Sequence, residues 1–556
     1  MLARGKDYRY YQIMKISLIS CCLEEGNLNY PLGALCIQSA LAQAFSKPDI
    51  VTIHHAYTLA DDPLLAVQAI KSEAADILGV SVYLWNRTWI EQFAVALKKE
   101  SPSLILFAGG PEVTANPRSF DLSLYTFLIL GEGEETSVKA IQSILEKRAI
   151  EGEGIVTDLS NISYAQAVNL QNLPSPILSS LADQFLQPGS CVLWEMTRGC
   201  PFACSFCFES RGLRSVRSFP IDRLEAELDH LISREVAEVY ILDPTFNMDK
   251  KRTLLLLELL ASRNSNIHFV FEIRAELLDT DLADAFAKLN CSLQIGLQSI
   301  DEDVLRLANR RFNPTLFSQK IQLLNERGIA FGLDLIIGLP KDNLSAFCKS
   351  LDYAMLLKPS NLDIFPLALL PGTVVAEQAT EFSIIHQEKA PYTIESSPTF
   401  PKQDIQKALK LKSLADLFFT KGQAGMWMGK LACAVESTPT RILLAFGSFL
   451  EAYKEDPEQV DIYSLQDAFV RSLLRKVGKK QYEDALMSFI ELHQAIAFFH
   501  TWGESPVIEL SYSLEALSEL EKLSFESFIA KYPKKERQTL GIYAQENGEI
   551  LFLPIE

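Results

Sequence analysis

Residues Trp194–Ser210 read WEMTRGCPFACSFCFES and set Cys200, Cys204 and Cys207 in a C-x3-C-x2-C array behind Thr197, Arg198 and Gly199. The chain has only ten cysteines in 556 residues, so three on one short stretch need an explanation. Thiolates are soft ligands that favour zinc or an iron–sulfur cluster. Structural zinc is normally closed by four ligands. The nearest further candidates, Cys191 and His230, fall inside a strand-like run and far along a helix-like one. Three thiolates on a [4Fe–4S] cluster would leave one iron open to a small chelating molecule. A zinc site completed from elsewhere in the chain and a chance grouping are the alternatives.

The array follows a strand-like run, CVLWEMT, that begins at Cys191. Further apolar strands follow at Glu238–Phe246, Ile267–Ala275, Cys291–Ser299, Ile329–Pro340 and Asn361–Thr373, with helical segments between them. Six β/α units predict a partial barrel, short of the eight that close one, with the cysteines at the carboxyl end of its first strand, where barrel active sites sit. Upstream, strand-like runs such as Ile13–Ser20, Asp49–Tyr57, Asp76–Tyr83, Leu104–Glu112 and Leu124–Glu135 alternate with helical ones. Such alternation predicts a doubly wound parallel sheet whose ligand edge carries the loops GGPE and GEGEE. The expected division is 1–150 for that domain, 151–188 for a Pro-containing linker, 189–376 for the barrel and 377–556 for a mainly α-helical domain. The fold class is α/β.

The balance of 52 Lys and Arg against 70 Asp and Glu gives a net charge of −18, which disfavours a nucleic-acid substrate. No run approaches ~20 apolar residues. The basic opening, residues 1–12, has no apolar segment behind it, so no membrane span or secretory leader is read and the cytoplasm is the expected compartment. The other cysteines are scattered in apolar runs and read as core thiols.

With these motifs in view, the chain resembles the radical SAM superfamily, in particular its members with an N-terminal cobalamin-binding domain. The resemblance rests on the three cysteines, on Asp243–Asn247 (DPTFN), Ile295–Ser299 (IGLQS), Leu333–Pro340 (LDLIIGLP) and Leu370–Thr373 (LPGT), and on the upstream ILGVSVY, AGGPE and ILGEGEE. It covers roughly residues 13–376; the tail resembles an extension of an uncharacterised branch. It implies that Cys200, Cys204 and Cys207 hold a [4Fe–4S] cluster whose open iron chelates S-adenosylmethionine (SAM), and that one electron then releases a 5′-deoxyadenosyl radical. An electron donor such as flavodoxin or ferredoxin is an implied partner, with a small-molecule or peptide substrate.

The resemblance also implies residue roles, each with a plainer alternative. Phe206 would cover the cluster or the adenine edge, or be a core aromatic. Asp243 would accept from the SAM ammonium, or make an Asp-Pro turn. Glu272 and Arg274 alternate along a strand and so share a face; they would meet SAM, or pair with each other. Gln298 and Ser299 match SAM-reaching positions. Arg311 would help with the SAM carboxylate, or be solvated. Thr197 and Arg198 end the first strand and shape the turn.

For cobalamin the expected contacts are Ser81, Gly109, Gly110, Gly131, Glu132 and Gly133 around the nucleotide tail, with Tyr83 and Trp85 beneath the cobalt. The D-x-H-x-x-G pattern that supplies a histidine ligand is absent; the first loop reads SCCLEEGNLNYPLG. His54 and His55, near the end of the second strand, lack the flanking Asp and Gly, so cobalamin is expected without a protein imidazole. A domain that has lost cobalamin is the alternative. The function so implied is methylation of an unactivated centre. Non-methyl radical chemistry, such as cyclisation or rearrangement, and a non-catalytic Fe–S/cobalamin sensor are the other readings.

Overall fold

A computed structural model describes residues 14–23, 30–45, 50–209, 214–453, 460–544 and 550–555. The basic opening segment, residues 24–29 of the first loop and Ser210 lie outside the described residues.

The first sheet is built from β1 (Met14–Cys22), β2 (Ile50–Thr58), β3 (Ile77–Ser81), β4 (Ile105–Gly109), β5 (Phe127–Ile129) and β6 (Ile155–Val156), in the order β2-β1-β3-β4-β5-β6. β1 to β5 are parallel; β6, from the stretch read as linker, adds an antiparallel edge. The runs are apolar throughout because both faces are covered. One face packs on α2 (Pro63–Glu73) and α3 (Arg87–Glu100), and the other on α1 (Leu32–Ala44) and α5 (Gly133–Leu145), with a separate core on each side. α4 (Pro111–Ala115) is a single turn after β4. In this strand order the chain reverses direction between β1 and β3, which opens a crevice at the carboxyl edge there.

The second sheet is β14-β13-β12-β11-β10-β7, all parallel and formed by β7 (Cys191–Trp194), β10 (Glu238–Ile241), β11 (His268–Ile273), β12 (Cys291–Gln298), β13 (Ala330–Ile337) and β14 (Asn361–Pro366). No pairing joins β14 to β7 among the described residues, so the barrel stays open. Its strands alternate. Val192, Trp194, Phe269, Phe271, Leu293, Ile295 and Leu333 are buried in the core with the outer helices, while Glu272, Gln294 and Asp334 stand on the concave face. The outer helices α6 (Ile221–Ser233), α7 (Lys250–Ser262), α8 (Thr280–Phe286), α9 (Glu302–Leu307), α10 (Pro314–Asn325) and α11 (Leu344–Leu356) return the chain between strands. Asp249, Asp279, Asp301, Asn313 and Asn343 cap five of them by accepting from first-turn amides.

The strand predicted to run through CVLWEMT stops at Trp194. Thr197 and Arg198 instead form β8, an antiparallel ribbon with β9 (Arg217–Ser218) that closes the base of the cysteine loop. After β14 the chain is mainly helical, and its helices share one continuous core with the barrel. It also contains a three-stranded antiparallel sheet, Val507–Leu510, Gln538–Ala544 and Ile550–Pro554, which the helical expectation missed.

Candidate functional site

The three cysteines sit on the loop beyond β7, at the carboxyl mouth of the barrel. Cys200 is buried; Cys204 and Cys207 are half-buried. Three neighbours hold the loop by its backbone. Ser205 N donates to Ala308 O at 3.1 Å, Val375 N donates to Ser205 O at 2.9 Å, and Asn309 Nδ2 donates to Ala203 O at 2.8 Å. Gly372, in the LPGT turn after β14, closes over Phe208, since a Cβ there would lie 3.2 Å from that ring. Loops after β7, β12 and β14 thus meet at one point. Among the described residues no three His, Cys, Asp or Glu side chains converge on a single metal ion. A cluster does not require that convergence, because each thiolate binds a different iron.

Asp243, at the end of β10, is committed to this loop's lead-in. Its Oδ1 accepts from Met196 N at 2.8 Å and Thr197 N at 2.9 Å. Burial pushes its carboxyl up to about 6 against the pull of those amides. Of the two roles expected for Asp243, SAM ammonium acceptor or turn former, its Oδ1 contacts are those of an anchor for the first loop. Asp243→Ala strips an acceptor from two buried amides, at about 1–3 kcal/mol each. Asp243→Asn keeps Oδ1 and removes the charge. An acid whose folded value lies above its ordinary 3.8 contributes stability below about pH 4 and loses it as pH rises towards 6. Asp243→Asn is therefore expected to match the wild type near pH 4 and to exceed it above pH 6, by on the order of 3 kcal/mol at most. Denaturant melts at both pH values check this; an unchanged difference between them would remove the buried-charge account.

Asn247, of the same DPTFN motif, bridges to β11: its Nδ2 donates to Arg274 O and its Oδ1 accepts from Arg274 N. The Arg274 guanidinium lies 3.7 Å from the Phe202 ring centroid and binds Glu276. It therefore pairs with Glu276 and not with Glu272. Glu272 stands open on the concave face, yet surrounding protein together with Asp334 and Glu209 pushes its carboxyl up to about 7. Gln298 ends β12 at a register shift with a left-handed φ of 68°, which is unusual for glutamine. Ser299 turns inward, bonding to Ser350 and to Asp301 N, so it does not reach the mouth. Arg311 is exposed; its neighbour Arg310 is the cation on the concave side, its Nη2 donating to Gly296 O at 2.7 Å. Phe206 is half-buried and packs against the barrel core.

In the first domain, Ser81 and Gly109 are register partners at the carboxyl edge. The buried Asn86 knits that edge together. Its Nδ2 donates to Cys21 O and Ser81 O, and its Oδ1 accepts from Tyr83 N, so the ends of β1 and β3 and the loop after β3 share one side chain. Tyr83 and Trp85 stack with ring centroids 4.5 Å apart, and Trp85 is 45% exposed, which leaves an aromatic plate beside the β1/β3 crevice. The loop expected beneath the cobalt, Tyr83-Leu84-Trp85-Asn86, thus contains both the plate and the asparagine that holds it.

The histidines lie in the middle of β2, not near its end, with His54 opposite Leu18. His54 bonds Ser20 Oγ and packs on Phe185, and burial lowers its pKa to about 4. His55 is paired with Glu73. Neither stands at the carboxyl edge.

Glu132, read as a corrin contact, is taken up between domains. It accepts from Arg217 and from Val168 N, and Arg198 lies 3.8 Å away. Arg198 also binds Glu134 at 2.7 Å and Glu195 at 2.8 Å. Both arginines belong to the β8/β9 ribbon, so the base of the cysteine loop is clamped to the start of α5 in the first domain. Gly133 opens α5, where a Cβ would press on Ile37, so its smallness serves α1–α5 packing. Gly131 has a φ of 90° beside Ala165.

A family model for the radical SAM superfamily matches residues 194–354, and one for the B12 binding domain matches residues 24–141. The chain carries a B12-binding domain and a radical SAM domain. The cobalamin-dependent radical SAM methyltransferase TokK of Streptomyces tokunonensis is 26% identical over 330 residues, covering 53% of this chain and 47% of that protein. The 2-(S-pantetheinyl)-carbapenam-3-carboxylate methyltransferase of Streptantibioticus cattleyicolor is 24% identical over 359 residues, covering 56% and 50%. The chain thus spans about half the length of these curated relatives. Among solved structures, the cobalamin-dependent SAM radical enzyme OxsB with aqua-cobalamin bound superposes with a TM-score of 0.58 at 15% identity, over 94% of this chain and 85% of OxsB. TsrM from Kitasatospora setae, with cobalamin and a [4Fe-4S] cluster bound, gives 0.57 at 15% identity over 68% and 76%. These likenesses concern the fold, and the OxsB match extends it into the tail. The carboxyl edge of the B12-binding domain and the mouth of the radical SAM domain are joined by the Arg198–Arg217 clamp. Among the described residues no helix is long and apolar enough to cross a membrane.

Proposed function

We propose that the chain is a cobalamin-dependent radical SAM enzyme that methylates an unactivated centre of a small-molecule or peptide substrate. The observation that carries the reading is the clamp: a three-cysteine loop at the barrel mouth, tied by partly buried ion pairs to the ligand edge of a B12-binding domain. Cys200, Cys204 and Cys207 fit a [4Fe–4S] cluster, being three thiols on one backbone-anchored, partly open loop. The β1/β3 crevice with its Tyr83–Trp85 plate fits cobalamin held without an imidazole, since both nearby histidines are engaged in mid-strand. When bound, these groups would supply the electron that cleaves SAM and the methyl group that is transferred.

The protein's own contribution is placement. Asp243 and Asn247 fix the ends of β10 and β11, and Arg274 stacks on Phe202 within the cysteine loop. Arg310 and Gln298 present polar groups at the end of β12. The ribbon and clamp aim the cysteine loop at the first domain. A flavodoxin- or ferredoxin-like protein is the expected electron source.

Anaerobic reconstitution with iron, sulfide, cobalamin and SAM tests the reading, with products identified by mass spectrometry. A methylase forms S-adenosylhomocysteine as well as 5′-deoxyadenosine. 5′-Deoxyadenosine alone would point to radical chemistry without methyl transfer, and neither product would point to a sensor. Electron paramagnetic resonance of the Co(II) state checks the axial ligand, because nitrogen splitting from an imidazole would sink the histidine-free arrangement.

A further inference from the structure

α4, the single turn that follows Gly109 and Gly110, does not hold its own place. It has five residues, no side-chain cap and a glycine N-cap at φ 114°. A helix that short has no stability of its own. Three contacts from outside set its position. Thr114 Oγ1 accepts from Gly131 N at 3.0 Å, which ties α4 to the loop after β5. Ala115 O faces Gly372 of the LPGT turn, where a Cβ would stand 3.7 Å away. Glu112, buried, accepts through Oε1 from the hydroxyl of Tyr392, 280 residues further along the chain.

The third contact comes from the C-terminal region. Tyr392 lies on a strap, residues 391–394, laid antiparallel along the segment after β14. Leu369 N donates to Tyr392 O and Ile394 N to Leu367 O, both at 2.9 Å, and Ala368 pairs with Thr393 between them. Burial, then the bond to the Glu112 carboxylate, pushes the phenol up to about 12, so the proton stays on the hydroxyl and is donated.

Tyr392 keeps this place at a left-handed φ of 57°, an outlier for a bulky side chain. Such strain persists only where the surroundings over-determine it, and it gathers at functional sites. Attachment of the tail does not account for it, because the tail helices already share one core with the barrel. What the bond fixes is its other end, the glycine turn of the B12-binding domain. That turn carries Gly109 and Gly110, and Thr114 ties in Gly131; all three are expected contacts of the nucleotide tail.

We infer that Tyr392 is a positioning residue for cobalamin: through Glu112 it seats α4, and so sets the spacing of the Gly109–Gly110 and Gly131 turns that receive the nucleotide tail. The inference rests on the cobalamin binding contained in the proposed function and not on methyl transfer.

Equilibrium dialysis of the cluster-reconstituted full chain against hydroxocobalamin tests it. Tyr392→Phe is expected to raise the dissociation constant about tenfold, the scale of one hydrogen bond to a charged group. Glu112→Ala removes the same contact from its other side and is expected to give a comparable loss, which keeps the test decisive if Tyr392→Phe fails to fold. The double variant is expected to bind no more weakly than the weaker single one. Tyr463→Phe is the matched control. Its hydroxyl donates to Gln423 Oε1 at 2.9 Å within the tail, and its loss should leave the dissociation constant unchanged. Thermal melts run alongside, because a plain staple would lower the melting temperature while the folded protein still bound cobalamin like the wild type. That outcome, losses that add in the double variant, or an equal loss in Tyr463→Phe would overturn the inference alone. A wild-type chain that takes up no hydroxocobalamin would end the cobalamin reading and the inference with it.

Discussion

Cys200→Ala, Cys204→Ala and Cys207→Ala are each expected to give a folded protein that binds little iron and no longer cleaves SAM. A cluster held by three thiolates has no spare protein ligand, so deleting any one removes a coordination position that nothing nearby can refill. The scaffold should survive, because the loop is held by main-chain bonds of Ser205 and Ala203 and by the β8/β9 ribbon, none of which uses a thiol. The loss of cleavage should be essentially complete, while melting shifts by only a few degrees. Cys191→Ala is the matched control. That thiol lies at the opposite end of β7, donating to Glu238 Oε2 at 3.3 Å, and its loss should leave iron content unchanged. Anaerobic iron and sulfide analysis with product chromatography decides it. Wild-type iron content in all three loop variants would falsify the assignment.

Gly110→Ala is expected to cost more stability than most single substitutions outside the barrel core. Gly110 adopts φ 114° and ψ 178°, a region essentially reserved for glycine. A Cβ there would lie 2.6 Å from Val82 O and 3.0 Å from Val82 N. Those atoms belong to the backbone network that sets the turn, in which Val82 N donates to Gly109 O and Glu112 N to Val82 O. The turn also positions the buried Glu112, which accepts from Tyr392 OH of the distant tail. Strain of about 1–3 kcal/mol and a backbone collision together predict lost folding yield or a loss beyond about 3 kcal/mol. Gly109→Ala is the contrast: its Cβ would meet Ile129 at an ordinary 3.6 Å. Thermal melts of both variants check the pair, and a Gly110→Ala protein that melts like the wild type would refute the account. A bulky residue at Gly110 therefore cannot report on cobalamin by itself. A larger side chain meant to lower cobalamin occupancy is better placed at Gly109, where its first effect falls on the crevice and not on the turn.

The doubly wound sheet and the open six-stranded barrel were legible because parallel strands buried on one or both faces leave long apolar runs, and because glycines and cysteines cluster at their carboxyl ends. Site residues were legible to the strand end but not to the partner. Asp243 and Glu132 were each identified as important carboxylates, yet nothing in local spacing tells whether such a group faces a ligand, two backbone amides or an arginine 85 residues away. The difference between Arg310 and Arg311 turns on one residue of helix-entry geometry. Asn86 and Asn247 lie in stretches the sequence marks, but their tying roles were not legible because a buried amide that joins two segments has no sequence period. The polar residues Glu272, Gln294, Asp334 and Asp363 on the concave face come from four strands, and only strand register brings them together.

Grafting another protein's first domain onto this barrel would strand Arg198 and Arg217, half-buried or deeper, without Glu134 and Glu132. Arg198 would keep Glu195 at 2.8 Å, but each part-buried arginine would lose a first-domain carboxylate, which weakens the contact that holds the ribbon in position. The two halves are thus inherited as a matched set. A chimera succeeds only if the acidic pair at the start of α5 travels with the donor sheet. Charge reversal on both sides, Glu to Arg and Arg to Glu, offers a way to build a second, non-interchangeable lock between the same two modules.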